Sequence, residues 1–478
     1  MSHLGLELSD AGFQAAHSDN GQLRAGVHGL LEWPALVSHD GQKYAFGREA
    51  EDQWYVRPRQ VNHAFWGRLS REASTLSVGG KAPTFSQLGF FFLRDFLQRT
   101  GPGTPERAVL AVPGAFLKDA ATEDEKIGLL LGMAGELKLP LVALVDQACA
   151  ALCDPHVAYF DPALPIVVVD MHLHGAELTL LRPGPRLARK DFLLLPQAGH
   201  AELLRHLTTA MGNRFLRHTT FDILEDGRLE QLFYRQTKDC LLARAAEHHF
   251  QINTASHSYQ MTATRDQLIA DSVAHAQALV QGVQTILQNN ALLTEPCTVA
   301  LTARTGLVPG IRTRFRSAGF NRLVLLPAGA AALGAARIAA DHPPLADLAD
   351  APVVTTVPVD LTQTMRRAPW EIRMLKGRST TPRPPTHVIT DGIGRALDGR
   401  PVFVIGLSHA RPDLALPESF NSAGDQCQVR LTREGSQVWW HENAGGNSVG
   451  RTAVQAGDRL VLRCGDAEVE VLFASCRD

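Results

Sequence analysis

The sequence lacks most of the features that would assign a compartment or a partner at once. It has no run of about eighteen apolar residues, and its first stretch, MSHLGLELSDAG, has no basic start followed by an apolar core. Neither sign of charge is in excess, with 47 basic and 49 acidic residues. We therefore expect no membrane insertion, no export and no nucleic-acid partner.

Paired cysteines and nucleophile motifs are absent too. The seven cysteines are scattered, without the short paired spacings of a zinc site or a secreted disulfide framework. This pattern predicts a cytoplasmic protein. No Gly-x-Ser-x-Gly turn occurs between a strand and a helix, so no catalytic nucleophile is predicted.

What the chain does contain is an alternation of strands and helices. Up to residue 341, apolar segments such as RAVLAVP (107–113), LVALVD (141–146) and IVVVD (166–170) alternate with amphipathic helical patterns. A long helical region is predicted from about 198 to 293, with His248 and His249 in a helix. A strand at 297–302 and two further helices complete an α/β domain over residues 1–341.

The composition changes after this domain. Proline-rich stretches predict an interdomain connection over residues 342–385. Short strand patterns separated by turns then predict a small all-β sandwich over residues 386–478. Trp439 and Trp440 are adjacent in one of these strands, so one side chain is expected to face the core and the other to face outward.

Four stretches of the first domain carry a resemblance to a known family. They are FGREAEDQWYVRPRQVNHAFWGRLSR, AVLAVPGAFLKD, LVALVDQACAALCD and PAGAAALGAARIAA. Their order and spacing resemble the ATPase domain of the seventy-kilodalton heat-shock chaperones. The resemblance implies a two-lobed actin-like ATPase fold that binds ATP and magnesium in a central cleft.

The residues that this resemblance assigns to phosphate depart from the family's pattern. In the first phosphate loop, LGLELSDAG, Glu7 occupies the acid position, and Asp10 would bring a carboxylate to the phosphate. Such a charge opposes a polyphosphate, and only a metal ion could offset it. In the second loop, VVVDMHLHGAEL, Asp170 is kept, but His172, Leu173 and His174 fill the glycine positions.

The remaining nucleotide contacts are altered as well. Gly67 stands where the family has its catalytic lysine, Thr302 and Ala303 replace a glycine pair, and Leu241 replaces an acid. By resemblance, the residual candidates for nucleotide or magnesium are Glu7, Asp146, Asp170 and Arg244. We expect ATP hydrolysis to be lost and no cofactor to be required.

His172 and His174 raise a separate hypothesis of metal binding. Residues two apart on an extended loop share a face, but the sequence offers no third ligand. The alternative is that they are polar turn residues that plug a vacated site. No metal site is therefore predicted.

The C-terminal region resembles a second family, the forkhead-associated domains that bind phosphothreonine. The resemblance lies in HVITDGIGRALDGRPVFVIGLSHARPDLALPES and GSQVWWHENAGGNSVGRTAVQAGDRLVLR. Leu407 replaces the arginine that clamps phosphate, and Gln426 occupies a histidine position. Ser422 and Asn447 remain as candidate phosphopeptide contacts.

Three hypotheses about function follow. The first is a non-catalytic, chaperone-like scaffold or regulatory subunit that binds a protein partner. The second is a divergent chaperone that still cycles with ATP through Glu7, Asp146 and Asp170. The third is an adaptor that reads phosphopeptides with its C-terminal domain.

Overall fold

The structure is a computed structural model that describes most of the chain. It describes the backbone of all residues except 1, 20–21, 26–31, 79, 101–104, 155–156, 158–159, 161–162, 185, 244, 358–369, 378–382, 391–392, 398–400, 407–411, 417–427, 436, 445–446, 465–466 and 476–478. It describes the side chains of the same residues except 19, 22–25, 370–373, 393, 428, 441–444, 447–450, 463–464 and 467. The chain divides into two compact units, 1–157 with 161–362 and 158–160 with 363–478.

The first unit begins with a mixture of strands and helices. The strands are β1 (Ser2–Leu8), β2 (Gly12–Asp19), β3 (Gln22–Ala25), β4 (Trp33–Pro34), β5 (Val37–His39), β6 (Tyr44–Phe46), β7 (Val61–Asn62), β8 (Arg107–Val112) and β9 (Leu141–Asp146). The helices are α1 (Arg48–Glu51), α2 (Phe85–Arg99), α3 (Ala120–Glu136) and α4 (Gln147–Leu152). The mixed α/β character predicted from periodicity is confirmed.

The same unit continues with a second series of elements. The strands are β10 (Ile166–Met171), β11 (Ala176–Arg182), β12 (Leu187–Leu195), β13 (Glu247–Asn253), β14 (Ser258–Thr264), β15 (Thr298–Leu301), β16 (Leu323–Leu325), β17 (Val353–Val354) and β18 (Thr356–Val357). The helices are α5 (His200–Thr219), α6 (Gly227–Ala243), α7 (Arg265–Asp271), α8 (Val273–Asn289), α9 (Ile311–Ser317) and α10 (Ala330–Asp341).

Two sheets of this unit share the order of five strands and differ in where the sixth strand is added. The first runs β17-β9-β8-β1-β2-β3, and the second runs β16-β15-β10-β11-β12-β18. In each, three successive antiparallel strands are followed by two strands that add in parallel beside the first of them. Each sheet has its own large buried core. Both therefore place a tight turn, β1–β2 in one and β10–β11 in the other, at the end of a buried central strand.

Helix α10 packs closely on the first sheet and on α4. A Cβ atom on Gly5 of β1 would lie 2.0 Å from the carbonyl oxygen of Ala332. A Cβ atom on Gly334 would lie 1.8 Å from the carbonyl oxygen of Ala150. Only glycine permits these approaches, which explains why the alanine-rich segment is interrupted at Gly334.

After α10 the chain joins the edges of both sheets. Val353 and Val354 of β17 pair in parallel with β9, and Thr356 and Val357 of β18 pair antiparallel with β12. Residues 353–357 lie within the predicted connection, 342–385, yet they form strands because their β-branched side chains suit an edge. This five-residue stretch, the strap, ties the two sheets together.

The elements described in the second unit are strands. They are β19 (Trp370–Leu375), β20 (His387–Thr390), β21 (Ile393–Ala396), β22 (Val402–Gly406), β23 (Leu414–Ala415), β24 (Gln428–Glu434), β25 (Gln437–Ala444), β26 (Asn447–Val454), β27 (Arg459–Cys464) and β28 (Ala467–Ala474). They form two five-stranded sheets that contribute to one buried core. Trp440 is buried in this core, as predicted for one of the pair, whereas Trp439 is only half-buried, with Arg451 over its ring at 4.5 Å.

The predicted helical region at 198–293 is partly wrong. A β-hairpin of β13 and β14 interrupts it. His248 and His249 therefore lie in a strand and not in a helix, with His248 buried and His249 exposed. Alternating burial along β13 shows the period of two that the helical interpretation overlooked.

Candidate functional site

The two equivalent turns meet at the centre of the first unit. Asp10, in the turn after β1, is 8% exposed. Its carboxylate accepts hydrogen bonds from the backbone N–H of Leu173 at 2.7 Å and of His174 at 3.3 Å, both in the turn after β10. Two successive N–H groups that converge on one anion form a backbone anion site. In this protein the anion is a side chain of the chain itself.

His172 lies beside Asp10 and is the centre of a buried charge cluster. Its Nδ1 atom lies 2.8 Å from Ser9 Oγ and 3.9 Å from the Asp10 carboxylate. Its Nε2 atom lies 3.4 Å from Glu177 and 3.6 Å from Asp170. Burial alone would lower the pKa of His172, but Glu177, Asp170 and Asp10 outweigh it and raise the pKa to about 10. The imidazole is therefore a cation at neutral pH.

Glu177 is a member of this cluster that the sequence analysis missed. It lies on β11, where its carboxylate accepts hydrogen bonds from the N–H groups of Gly114 at 2.7 Å and Ala115 at 3.1 Å. Burial would raise its pKa, but the His172 cation and these N–H donors hold the pKa below its ordinary value. The sequence feature that could have identified Glu177 is an acidic residue within the otherwise apolar strand AELTLLR.

Arg304 is the second cation of the site, and it was also missed. It follows Thr302 and Ala303 and is 8% exposed. Its guanidinium pairs with Glu7 and lies 3.8 Å from Asp170. Burial lowers its pKa to about 10, which leaves it charged at neutral pH. Arg304 thus reaches from the second sheet to the first.

Two of the predicted site residues, Glu7 and Asp170, are brought together around Arg304. Glu7 also accepts a hydrogen bond from Gln147 Nε2 at 2.7 Å, and Asp170 accepts one from Thr302 Oγ1 at 2.8 Å. Burial raises the pKa of Asp170. Both carboxylates already have protein partners.

Asp146 has a local role at the start of α4. One carboxylate oxygen caps the helix by accepting from Ala148 N at 2.9 Å and Cys149 N at 3.3 Å. The other lies 3.3 Å from Arg189. Burial raises the pKa of Asp146 to about 6, against the opposing effect of Arg189.

The structure also locates other positions named in the sequence analysis. A Cβ atom on Gly67 would lie 3.5 Å from Asp10, so this position does face the two turns. Leu241, on α6, is buried in the hydrophobic core of the second sheet. Arg244 and Ser422 lie outside the described residues, as do Leu407 and Gln426. Asn447 begins β26, and its side chain is not described.

His172 and His174 point in different directions and do not share a ligand position. His172 faces the buried cluster, whereas His174 Nε2 lies 2.9 Å from Nδ1 of His63. Burial, together with the neighbouring His174, lowers the pKa of His63 to about 4. In the described part of the chain, no three His, Cys, Asp or Glu side chains are grouped so that they could hold a metal ion.

Little space remains at the site. The cavity beside Arg304 has a volume of about 30 Å³ and is bounded by Glu7, Gln147, Asp170 and Thr302. That volume holds one or two water molecules, whereas ligand pockets measure ~300–1,000 Å³. Gln147 Oε1 is buried there without a hydrogen-bond partner, and Arg304 Nη1 lies 3.5 Å from Glu32.

A second set of contacts joins residues 51–55 to α6. Glu51 pairs with Lys238 at 2.5 Å and accepts a hydrogen bond from the Tyr234 hydroxyl at 3.1 Å. Gln231 accepts from Tyr55 N and donates to the Glu51 carbonyl, both at 3.0 Å. These contacts, the clasp, connect the two halves of the unit away from the turns.

Comparisons with known proteins add no relative. No family model matches the chain, and the search of curated proteins gives no significant match. Among the described helices, none is long and apolar enough to cross a membrane.

Proposed function

We propose that the first unit is an actin-like ATPase fold that no longer uses nucleotide, and that the protein is a non-catalytic interaction scaffold. The repeated strand order of its two sheets supports the actin-like relationship, because that family is built from two such halves. The second unit, with two sheets over one core, fits a β-sandwich of the forkhead-associated type. Its role in this proposal is to bind a protein.

The observation that carries the proposal is the position of Asp10. Its carboxylate accepts the hydrogen bonds of the backbone N–H groups that a bound phosphate would need. Displacing it would break two charge-assisted hydrogen bonds, each worth ~1.5–3 kcal/mol. The combined cost of ~3–6 kcal/mol lowers the affinity for a competing phosphate by roughly 10²–10⁴.

The carboxylates of the site also disfavour a bound phosphate by charge repulsion. A polyphosphate at the turns would lie close to Asp10, Asp170, Glu177 and Glu7, with His172 and Arg304 as the neighbouring cations. Each carboxylate about 4 Å from a phosphate charge costs ~1 kcal/mol in water and ~4 kcal/mol at a protein surface. The clasp and the strap then hold the two halves together without a ligand.

Calorimetric titration with MgATP and MgADP tests the proposal. The wild-type protein should give no saturable heat at millimolar nucleotide. Asp170→Ala removes a central acid, and Asp124→Ala, at an exposed position of α3, is the matched control. Saturable binding that Asp170→Ala abolishes and Asp124→Ala leaves intact would overturn the proposal in favour of the ATP-cycling chaperone.

A further inference from the structure

The edge of the second sheet is only partly covered. β18 pairs with Leu187 and Ala188 of β12, and Arg189 N donates to the Thr355 carbonyl at 2.9 Å. From Asp191 to Leu195, no described strand pairs with this edge of β12. The uncovered stretch, the open edge, has the sequence DFLLL. Such an apolar edge can pair with a strand of another chain, and natural proteins usually cover or charge it.

A bulge determines which backbone groups face outward. The register of β11 and β12 shifts between Asp191 and Arg189, so Lys190 is the extra residue. Phe192 N donates to the neighbouring Asp191 side chain at 2.7 Å, which indicates that the Phe192 backbone faces the outer edge of β12. Backbone groups that face the same edge recur every second residue, so Leu194 presents its N–H and C=O there too.

An apolar groove runs beside the open edge. It lies between β12, α5 and α8 and has a volume of about 670 Å³. Its apolar lining includes Leu193, Leu195, Leu203, Ala274, Ala278 and Gly282. The lining of α8 extends over ~16 Å, which is the length of about five residues of extended chain.

The charges around the groove are already neutralised. Glu202 pairs with Arg205 at 2.6 Å, and Asp271 pairs with Arg214. Burial lowers the pKa of His275 to about 4, so this imidazole is neutral. The groove therefore favours uncharged, aliphatic side chains over an acidic or basic segment.

We propose that the open edge and the groove together bind an extended aliphatic segment of a partner protein by strand addition. The backbone of Leu194 would pair with the segment, and every second side chain of the segment would enter the groove. The strap supports this choice of occupant, because an extended, β-branched segment already pairs with the adjoining part of the same edge. The inference rests on the proposed scaffold role and names the chemistry of its partner.

A display library of random heptapeptides is first screened for a peptide that binds the full chain. The selected peptide is then labelled, and its binding to the full chain is measured by fluorescence anisotropy. We expect an alternating aliphatic peptide. Leu194→Pro removes the outward N–H, and Ala278→Leu fills the groove; each should weaken binding at least tenfold. Leu242→Lys, at an exposed leucine of α6, is the matched control and should leave binding unchanged.

Hydrogen exchange on the wild-type protein provides a test that needs no variant. Bound peptide should slow exchange at Leu194. Failure to select a peptide, or equal binding by Leu194→Pro, would overturn the inference, as would protection confined to other strands. A wild-type dimer that Leu194→Pro dissociates would overturn it as well, because a second copy would then occupy the edge. None of these results depends on nucleotide, so they are distinguishable from failure of the scaffold proposal.

Discussion

Replacing His172 by glutamine should change how stability depends on pH. The pKa of His172 is about 10 in the folded protein and 6.5 for an ordinary histidine. Because the folded value is raised, its stabilising contribution is complete below pH 6.5 and is lost as the pH rises towards 10. The free energy of unfolding should fall by roughly 1.4 kcal/mol per pH unit across this window, or about 5 kcal/mol in total. His172→Gln should lack this dependence.

Removing the cation also leaves Asp10, Asp170 and Glu177 without their shared partner. Breaking a buried pair in this way costs ~3–5 kcal/mol at neutral pH. The difference in stability between wild type and variant should therefore be largest near pH 6.5 and should shrink towards pH 10. His249→Gln, at an exposed histidine, is the matched control and should follow the wild type.

Urea unfolding measured between pH 6.5 and 10 tests this prediction. All described α-helices lie between residues 48 and 341, so the helical circular-dichroism signal reports the first unit. Curves for wild type and His172→Gln that run parallel across the window would refute the imidazolium assignment. A difference in the free energy of unfolding between wild type and variant that shrinks by several kcal/mol as the pH rises would support it.

Three further predictions concern stability and can be checked by thermal and urea unfolding. Arg304→Ala should cost ~3–5 kcal/mol because it leaves Glu7 buried and unpaired, whereas Arg205→Ala, in an exposed ion pair, should cost under ~1 kcal/mol. Gly334→Ala should cost at least ~3 kcal/mol through its clash with Ala150, whereas Gly128→Ala, in open space on α3, should gain ~0.5–1 kcal/mol. Gly114→Ala should cost ~1–3 kcal/mol because its Cβ would lie 2.9 Å from the Phe192 ring. Equal effects within either matched pair, or a neutral Gly114→Ala, would contradict the packing described.

Most strands and helices could be predicted because their periodicity is local. The segments at 107–113, 141–146 and 166–170 coincide with β8, β9 and β10 to within one residue. The hairpin of β13 and β14 was missed because its alternation is carried by Phe250 and Ile252 between polar residues that suit a helix equally well. The strap was missed because its pairing depends on two sheet edges that are distant in sequence.

The site was less predictable than the fold. The sequence identified the two turns and named Asp170, which matches the resemblance, and Asp10 and His172, which depart from it. It could not show that the Asp10 carboxylate accepts hydrogen bonds from two backbone N–H groups and lies beside the His172 imidazolium. The sequence had suggested only a metal ion as a partner for this charge. Glu7 and Arg304 are 297 positions apart, and no local pattern joins them. Their pairing becomes visible only once both sheets are assembled.

The charged side chains at the two turns depend on one another for their partners. Replacing His172 by glycine would remove the neighbouring cation from the buried carboxylates of Asp10 and Glu177, whereas Asp170 would keep Arg304 at 3.8 Å. Replacing Asp10 by glycine would leave the N–H groups of Leu173 and His174 without this acceptor. Removing Arg304 alone would leave the Glu7 carboxylate without its cation. Each single step towards a nucleotide site therefore costs stability before any phosphate can bind, because the charges of the cluster depend on one another. Under the proposed function, this interdependence keeps the fold in its ligand-free form.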